Sequence, residues 1–523
     1  MAALPAPRYF LPPGQENASG GKKTDITSGH PVSRTRWEGP LFTFTPYVSP
    51  AEAAADWATA ECRGLQLGDA RLTARAVATL QTLAGQATAS IPGAGRDPAE
   101  IKAIYRFLAN PKVTPCALLA PHQRATRARI RAQATVLVLH DLTELNYTDK
   151  GVAAALGAIG DNKTRGLFFD PLLAVTPDRV PLGLVDPHTW LRATPDGPAQ
   201  ARKHWPIERK ETYCWLRGYR QACALAAETP QTRLIYIADR GGDIYEVYQE
   251  AAQRADTPHA DFVIRGCAYD RCLAPVNAIG TPQQAHLHAH LAAQPPRGTC
   301  TVDLPATAGR AARTVTQTLR TAAVQLRAPY RQGAPLADVT VHALLLTEEA
   351  PPPGQAAVTW LLYTSLPIAT DADLQQIVAY YLARWEIECY FKVLKSGCTV
   401  ERLYLQTAER LLNALACYEL IAWRILYGTR LGQACPDLPC TVVFTPAEWE
   451  AVYLIYHDTL PAVPPTLQTL LHLVARGGGF VGRAGDGPPG IQTVWLGFQR
   501  AHDYALAYQR FGPGRQPRRA RGA

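Results

Sequence analysis

The chain has 523 residues, 47% of them hydrophobic and 19% charged, which supplies apolar material for roughly two to four packed domains and excludes wholesale disorder. Its 39 Gly and 43 Pro follow no Gly-X-Y period, and its 12 Cys are scattered along a long chain, so collagen and disulfide-scaffold architectures are excluded. An excess of 53 Lys and Arg over 44 Asp and Glu leaves a formal charge of +9, which suits a polyanionic partner.

No apolar run of about eighteen residues occurs, and the first residues carry no basic-led apolar stretch, so a cytoplasmic chain with reduced thiols and no membrane span is expected. Residues 1–48 mix Pro, Gly, Ser, Thr and Lys without periodicity and read as a disordered arm. From 49 to 122 the apolar spacing is helical, with Leu72, Ala76, Leu80 and Leu83 followed by Ile101, Ile104, Tyr105 and Leu108. Arg71 and Arg106 stand in this small helical module, Arg71 where a turn meets a helix start.

The first clear strand, 135–139, ends in His140-Asp141 after a basic cluster of Arg124, Arg127, Arg129 and Arg131. Two apolar runs around the Pro177-Asp178 turn predict an antiparallel hairpin beside it. A helix over 210–228 then leads to a second apolar strand, 234–238, which again stops at an acid, Asp239, and is followed by Gly241-Gly242. This strand–acid–turn–helix order belongs to α/β architecture and places two carboxylates at the carboxyl edge of one sheet. Between about 266 and 362 short alternating runs separated by Pro/Gly segments predict an all-β insertion.

Residues 371–396 carry the strongest helix signal, with an Asp-rich start, no interior Gly or Pro, and Gly397 as a stop. At about 100° per residue, Tyr381, Arg384, Glu388, Lys392 and Lys395 share one face, a carboxylate among three cations. Ordinary i, i+4 pairing explains such a stripe on a solvated helix. The two strand-ending aspartates suggest instead that three carboxylates converge, and hard divalent cations take such oxygen ligands.

The spacing Tyr381-x2-Arg384-x3-Glu388-x6-Lys395 resembles the YREK signature of bacterial DDE transposases of the fourth insertion-sequence family. Other segments agree in order: Leu67-Gly68-Asp69 with Arg71 and Arg75, Tyr105-Arg106-Phe107, His140-Asp141-Leu142-Thr143, Asp239-Arg240, Phe262-Val263-Ile264-Arg265, and Trp360-Leu361-Leu362. His140, Cys389 and Phe391 depart from the pattern, which has an acid, a second glutamate and a histidine there.

The resemblance implies an RNase H-like catalytic core, 123–430, with the β insertion inside it. A helical DNA-binding domain at 49–122 would precede it, and a helical dimerisation domain at 431–512 and a basic tail at 513–523 would come after it. It implies Asp141, Asp239 and Glu388 as catalytic residues and ligands of two Mg²⁺ ions, with Mn²⁺ as a substitute. It also implies DNA contacts from Tyr381, Arg384, Lys392, Lys395, Trp360, Arg265, Arg71, Tyr105 and Arg106, with Trp360 stacking on a flipped base. The implied activity is cut-and-paste transposition by a homodimer acting on double-stranded transposon ends and target DNA, through a hairpin intermediate, in a bacterial cytoplasm and its nucleoid.

An end-binding regulator or domesticated relic that does not cut is the alternative; a two-carboxylate glycosidase fits poorly with the basic stripe. His286-x-His288-x-His290 and the close pairs Cys267/Cys272 and Cys435/Cys440 lack zinc-site spacing and read as non-ligating.

Overall fold

The computed structural model describes residues 56–512 apart from 89, 161–162, 193–203, 305–311, 333–334 and 484; the arm expected over 1–48 and the tail 513–523 lie outside the described residues. The described residues begin with five helices: α1 (Trp57–Glu61), α2 (Ala70–Gly85), α3 (Ile91–Ala94), α4 (Pro98–Leu108) and α5 (Pro115–Arg131). Each starts on a side chain that accepts a hydrogen bond from the first turn: Asp56, Asp69, Ser90, Asp97 and Thr114. Proline then occupies the first turn of α3, α4 and α5, where its missing N–H costs nothing. α5 runs through the boundary expected at 122 and packs on the strand Pro181–Asp186 of the central sheet, so the helical module is welded to the sheet. Of the basic cluster on α5, Arg127 pairs with Glu228 on the surface, while Arg129 turns inward to the buried Glu61.

Strands β1 (Thr135–His140), β2 (Thr143–Asn146), β3 (Gly157–Ile159), β4 (Thr164–Phe169), β5 (Leu172–Val175), β6 (Pro181–Asp186) and β7 (Thr189–Trp190) precede α6 (Tyr213–Glu228). Next come β8 (Arg233–Ala238), α7 (Tyr245–Gln253), β9 (Asp261–Arg265), α8 (Leu287–Ala292), β10 (Thr299–Leu304), β11 (Arg313–Leu326), β12 (Val339–Glu348) and β13 (Thr359–Thr364). Nine strands form one mixed sheet in the order β10-β11-β12-β13-β9-β8-β1-β5-β6, and β2, β3, β4 and β7 form a small second sheet. β1 runs parallel to β8, with His140 opposite Ala238, and β8 runs parallel to β9. The expected hairpin is present: β5 and β6 pair with each other, and β5 lies antiparallel to β1.

The insertion differs from expectation in containing a helix, α8, so it is not all-β. β13 pairs antiparallel with β9, Leu362 opposite Arg265, so the insertion extends the central sheet. The physical reason is the open edge of β9, whose unpaired backbone groups are satisfied by the returning strand.

Alternation along the central strands divides the core. Val136 and Val138 of β1 and Leu234 and Tyr236 of β8 pack with α6 and α7, while Leu137, Leu139, Ile235 and Ile237 pack with the helices that come after the sheet. A strand buried on both faces needs this continuous apolar run, which is why a charged residue appears only where the strand ends.

Those later helices are α9 (Asp371–Ala383), α10 (Trp385–Lys392) and the 27-residue α11 (Ala408–Ala434). The single helix expected over 371–396 is interrupted at Arg384, whose backbone stays helical but whose N–H donates to the Tyr381 carbonyl three residues back, and it finishes in a π-helical turn, Val393–Gly397. The Arg384 side chain pairs with Asp141 and Glu388. α11 passes through the expected boundary at 430 and joins the core to α12 (Pro446–Tyr456), α13 (Leu467–Gly477) and α14 (Ile491–Phe511), packed around Phe444, Trp449, Leu470 and Phe498. Asn413 of α11 donates to the carbonyls of Leu108 and Val113 at 3.0 and 2.8 Å, tying the N-terminal module to the same helix. No helix among the described residues is long and apolar enough to cross a membrane.

Candidate active site

Asp141 and Asp239 immediately follow the paired ends of β1 and β8, so sheet register alone brings them side by side. Backbone donors orient both: Asp141 Oδ1 accepts from the Leu142 N–H at 2.8 Å, and Asp239 Oδ1 accepts from the Gly241 N–H at 2.7 Å. Position 241 must be glycine here, because a Cβ would collide with the Trp215 ring and lie 3.1 Å from Asp239 Oδ1.

Glu388, on α10, reaches this edge through Arg384. One guanidinium nitrogen donates to Asp141 Oδ2 at 3.1 Å and the other to Glu388 Oε1, so the planar fork spans two carboxylates from segments far apart in sequence. Burial pushes the Asp141 carboxyl up to about 7, Asp239 adds to the rise, Arg384 opposes it, and Glu388 adds a little more. Burial also works against the Arg384 guanidinium, but Tyr381, Glu388 and Asp141 hold it above its ordinary value.

Three carboxylates and one guanidinium leave the sheltered edge with excess negative charge, which adds to burial in raising Asp141. An oxygen-only donor set with that deficit fits a hard divalent cation. The acids do not form a closed cage: among the described residues no three His, Cys, Asp or Glu side chains are grouped as a metal site. Arg384 stands between two of the three.

A file of rings and guanidinia leads to the acids. Arg265 lies over the Trp360 ring at 5.6 Å, Trp360 meets Tyr381 edge-on at 5.8 Å, and Arg384 lies over Tyr381 at 5.9 Å. Trp360 is only 9% exposed and belongs to the core with Tyr381, so the expected stacking surface is covered in this conformation. The Tyr381 hydroxyl is buried with no hydrogen-bond partner. Lys392 and Lys395 are half-buried on the same segment; burial lowers the Lys395 ammonium, against the pull of Glu401 and Glu144.

Arg71, Tyr105 and Arg106 are not brought to the acids; they lie on the N-terminal module. Arg106 joins Arg75, Lys102, Asn110, Leu72, Ala99, Ala103 and Phe107 around an open cleft of about 360 Å³ between α2 and α4. Arg71 is exposed beside Asp69, and Tyr105 is half-buried; neither lines that cleft.

Three family profiles match the chain: residues 54–113 match the transposase DNA-binding family, 216–423 the transposase DDE domain, and 420–510 the transposase Tn5 dimerisation domain. All three matched segments are similar to transposase domains. The DDE match contains Asp239, Glu388, Trp360 and the whole of α10, while Asp141 lies before it. The cleft lined by Arg75, Lys102 and Arg106 lies within the DNA-binding match. The solved piggyBac transposase synaptic complex with hairpin DNA is similar over 59% of this chain and 50% of that chain, with 9% identity and a TM-score of 0.28. The match thus spans half of that protein's length, a likeness too slight to carry argument.

Behind these acids lie buried polar contacts that sequence reasoning did not foresee. His140, fully buried, places Nδ1 2.6 Å from the Tyr236 hydroxyl and Nε2 3.8 Å from Asp170 Oδ2, while Asp170 Oδ1 is 2.7 Å from His188 Nδ1. Between α1 and α5, Glu61 bridges Arg129 and His122, and the His122 Nε2 accepts from the Leu184 N–H at 3.0 Å. These groups are distant in sequence; the only local signal is a charged or histidine residue inside an otherwise apolar stretch. The three histidines at 286, 288 and 290 hold no metal grouping, and the twelve cysteines are free.

Proposed function

We propose that this protein is a cut-and-paste DNA transposase of the fourth insertion-sequence family, with Asp141, Asp239 and Glu388 as its catalytic triad. The observation that carries the reading is the meeting of Asp141 and Asp239 at adjacent strand ends, with Glu388 linked to Asp141 by Arg384. The strand order β6-β5-β1-β8-β9, with an antiparallel pair followed by three parallel strands, supports an RNase H-like core.

On this reading the three carboxylates would hold two Mg²⁺ ions, with Mn²⁺ as a substitute. When bound, such ions neutralise the scissile phosphate and make water, then a DNA 3′-hydroxyl, an effective nucleophile. The protein supplies the rest by position. Asp141 must give up its proton to act as a ligand; raised to about 7, it still holds that proton part of the time near neutral pH, so cation binding would be coupled to proton release. Arg384 then exchanges a carboxylate for a phosphate oxygen, for which its planar fork is equally suited. Lys392 and Lys395 supply point charges along the same helical segment. Trp360 and Arg265 sit one ring further from the acids; the Trp360 face becomes available for a flipped base, as a hairpin route requires, only when it swings off Tyr381.

The cleft with Arg75, Lys102 and Arg106 and the nearby Arg71 and Tyr105 are assigned to the end DNA, and 420–510 to the contact between two copies of the chain. The experiment combines full-length protein, Mg²⁺ or Mn²⁺, and DNA carrying the element's inverted-repeat ends. Strand cleavage by wild type that is lost in Glu388→Gln and Asp239→Asn is expected. Tight end binding without metal-dependent cleavage would select the regulator reading instead.

A further inference from the structure

α10 is only eight residues long and is set between the one-residue interruption at Arg384, whose backbone stays helical, and the π-helical turn after it. The azimuth of α10 decides whether Glu388 faces Asp141. At about 100° per residue Glu386 lies about 200° from Glu388, on the back of the helix, and Cys389 returns to the Glu386 side.

That back face is anchored. Glu386 is fully buried, and its Oε2 accepts from Arg430 Nε at 2.6 Å. The same guanidinium donates to Cys389 Sγ at 3.5 Å and to Gln433 Oε1 at 2.9 Å. Arg430 belongs to α11, beyond the end of the DDE match and inside the segment that matches the dimerisation domain. A charge pair so deeply buried is retained only if its geometry is held, because either partner alone is an uncompensated charge. No residue of the pair touches the proposed metal ligands.

We infer that Glu386 and Arg430 are positioning residues: their buried pair fixes the rotation of α10, aligns Glu388 on Asp141, and makes that alignment depend on the C-terminal segment. This rests on the catalytic reading above. It also gives the carboxylate set a reason to respond to whatever the C-terminal helices bind, since α11 is one continuous rod from the core into that region.

The test uses full-length protein with Glu386→Gln, Arg430→Met, the double replacement Glu386→Met/Arg430→Met, Arg430→Lys and, as a control, Glu448→Gln. The control breaks the Arg424–Glu448 pair, which is also largely buried, though less deeply than Glu386, and is a pair between α11 and α12. The double replacement removes both charges and keeps apolar volume, so the fold survives even if a single variant does not. Two quantities are read: terbium affinity, by luminescence sensitised from tryptophan, and the Mn²⁺ concentration giving half-maximal cleavage of end DNA.

Terbium is a hard, oxygen-seeking ion, and loss of a supporting contact lowers metal affinity about ten- to a hundredfold. That loss is expected in Glu386→Gln, Arg430→Met and the double variant, with a matching rise in the Mn²⁺ requirement and unchanged binding of end DNA. Arg430→Lys should recover most of it, and Glu448→Gln should stay within about twofold of wild type. Unchanged terbium affinity in the well-folded double variant overturns the inference, as does wild-type terbium binding that Asp141→Ala does not weaken. If wild type binds terbium through Asp141 yet never cuts DNA, the catalytic reading fails while the terbium shift still decides the positioning role.

Discussion

Replacing Asp141 with Asn should stabilise the metal-free protein at alkaline pH. The carboxyl is raised from 3.8 to about 7 by burial and by the neighbouring Asp239 charge. At 1.36 kcal/mol per pH unit that is about 4 kcal/mol of strain in the ionised form. Asn keeps the shape and accepts from Leu142 as Asp does, but Arg384 loses one of its two carboxylates, so a net gain of about 1–3 kcal/mol is expected. The sign follows from proton binding. The folded protein holds the Asp141 proton more tightly than the unfolded chain does, so between about pH 4 and pH 7 wild-type stability falls as pH rises, and the full deficit is present above pH 7. Urea denaturation with EDTA at pH 5 and pH 8 reads it: the variant should exceed wild type at pH 8 and the gap should shrink at pH 5. Saturating Mn²⁺ should reverse the order, because only wild type gains from the ion. A gap independent of pH, or a variant less stable than wild type at pH 8, would refute the reasoning.

Other consequences can be checked separately. Arg384→Gln removes the cation that opposes protonation of Asp141, so Mn²⁺ uptake at pH 7 should release more protons than in wild type, read by calorimetry in buffers of different ionisation enthalpy; equal release contradicts the bridging role. Lys102→Ala and Arg106→Ala should each weaken end-DNA binding and reduce the slope of log affinity against log salt by about 1, measured by fluorescence anisotropy; an unchanged slope removes the cleft from the interface. Trp360→Ala should lower stability by about 3–5 kcal/mol, whereas Trp385→Ala, at an exposed position, should change it by less than about 1 kcal/mol in the same denaturation assay; similar values would mean that Trp360 is not a core residue. Glu61→Gln strands a buried Arg129 and should cost about 3 kcal/mol without altering DNA affinity, read by denaturant midpoint and anisotropy together.

Where local rules and the fold agree, the sequence was informative. The apolar runs ending at His140-Asp141 and at Ala238-Asp239 are strands β1 and β8, and their parallel pairing places the two acids together. The hairpin around Pro177-Asp178 and the four runs of the insertion are also strands, because β-branched alternation bounded by turn residues is a local signal. What was illegible depends on distant partners. The interruption at Arg384 has no Gly or Pro to announce it and coincides with an ion pair to a residue 243 positions upstream. Pairing of β13 with β9 crosses the whole insertion, so the continuity of the sheet could not be read from strand patterns. Glu386 looked like one more charge on a helix rich in them; burial against Arg430, 44 positions on, gives it a structural role. The five residues placed on one helical stripe do share a segment, but Tyr381 is core and Arg384 is held by acids, so the stripe is not a free basic face.

The central claim is that Asp141, Asp239 and Glu388 share divalent cations, and its most direct test is anomalous diffraction from crystals of the DNA complex grown with Mn²⁺ and a non-cleavable end. The account predicts a manganese peak at the ends of β1 and β8, with Asp141 as a ligand, oxygens of Asp239 or Glu388 completing the protein donors, and the Arg384 guanidinium moved off at least one carboxylate. A well-diffracting complex whose manganese lies elsewhere, with Arg384 still bridging Asp141 and Glu388, would contradict it.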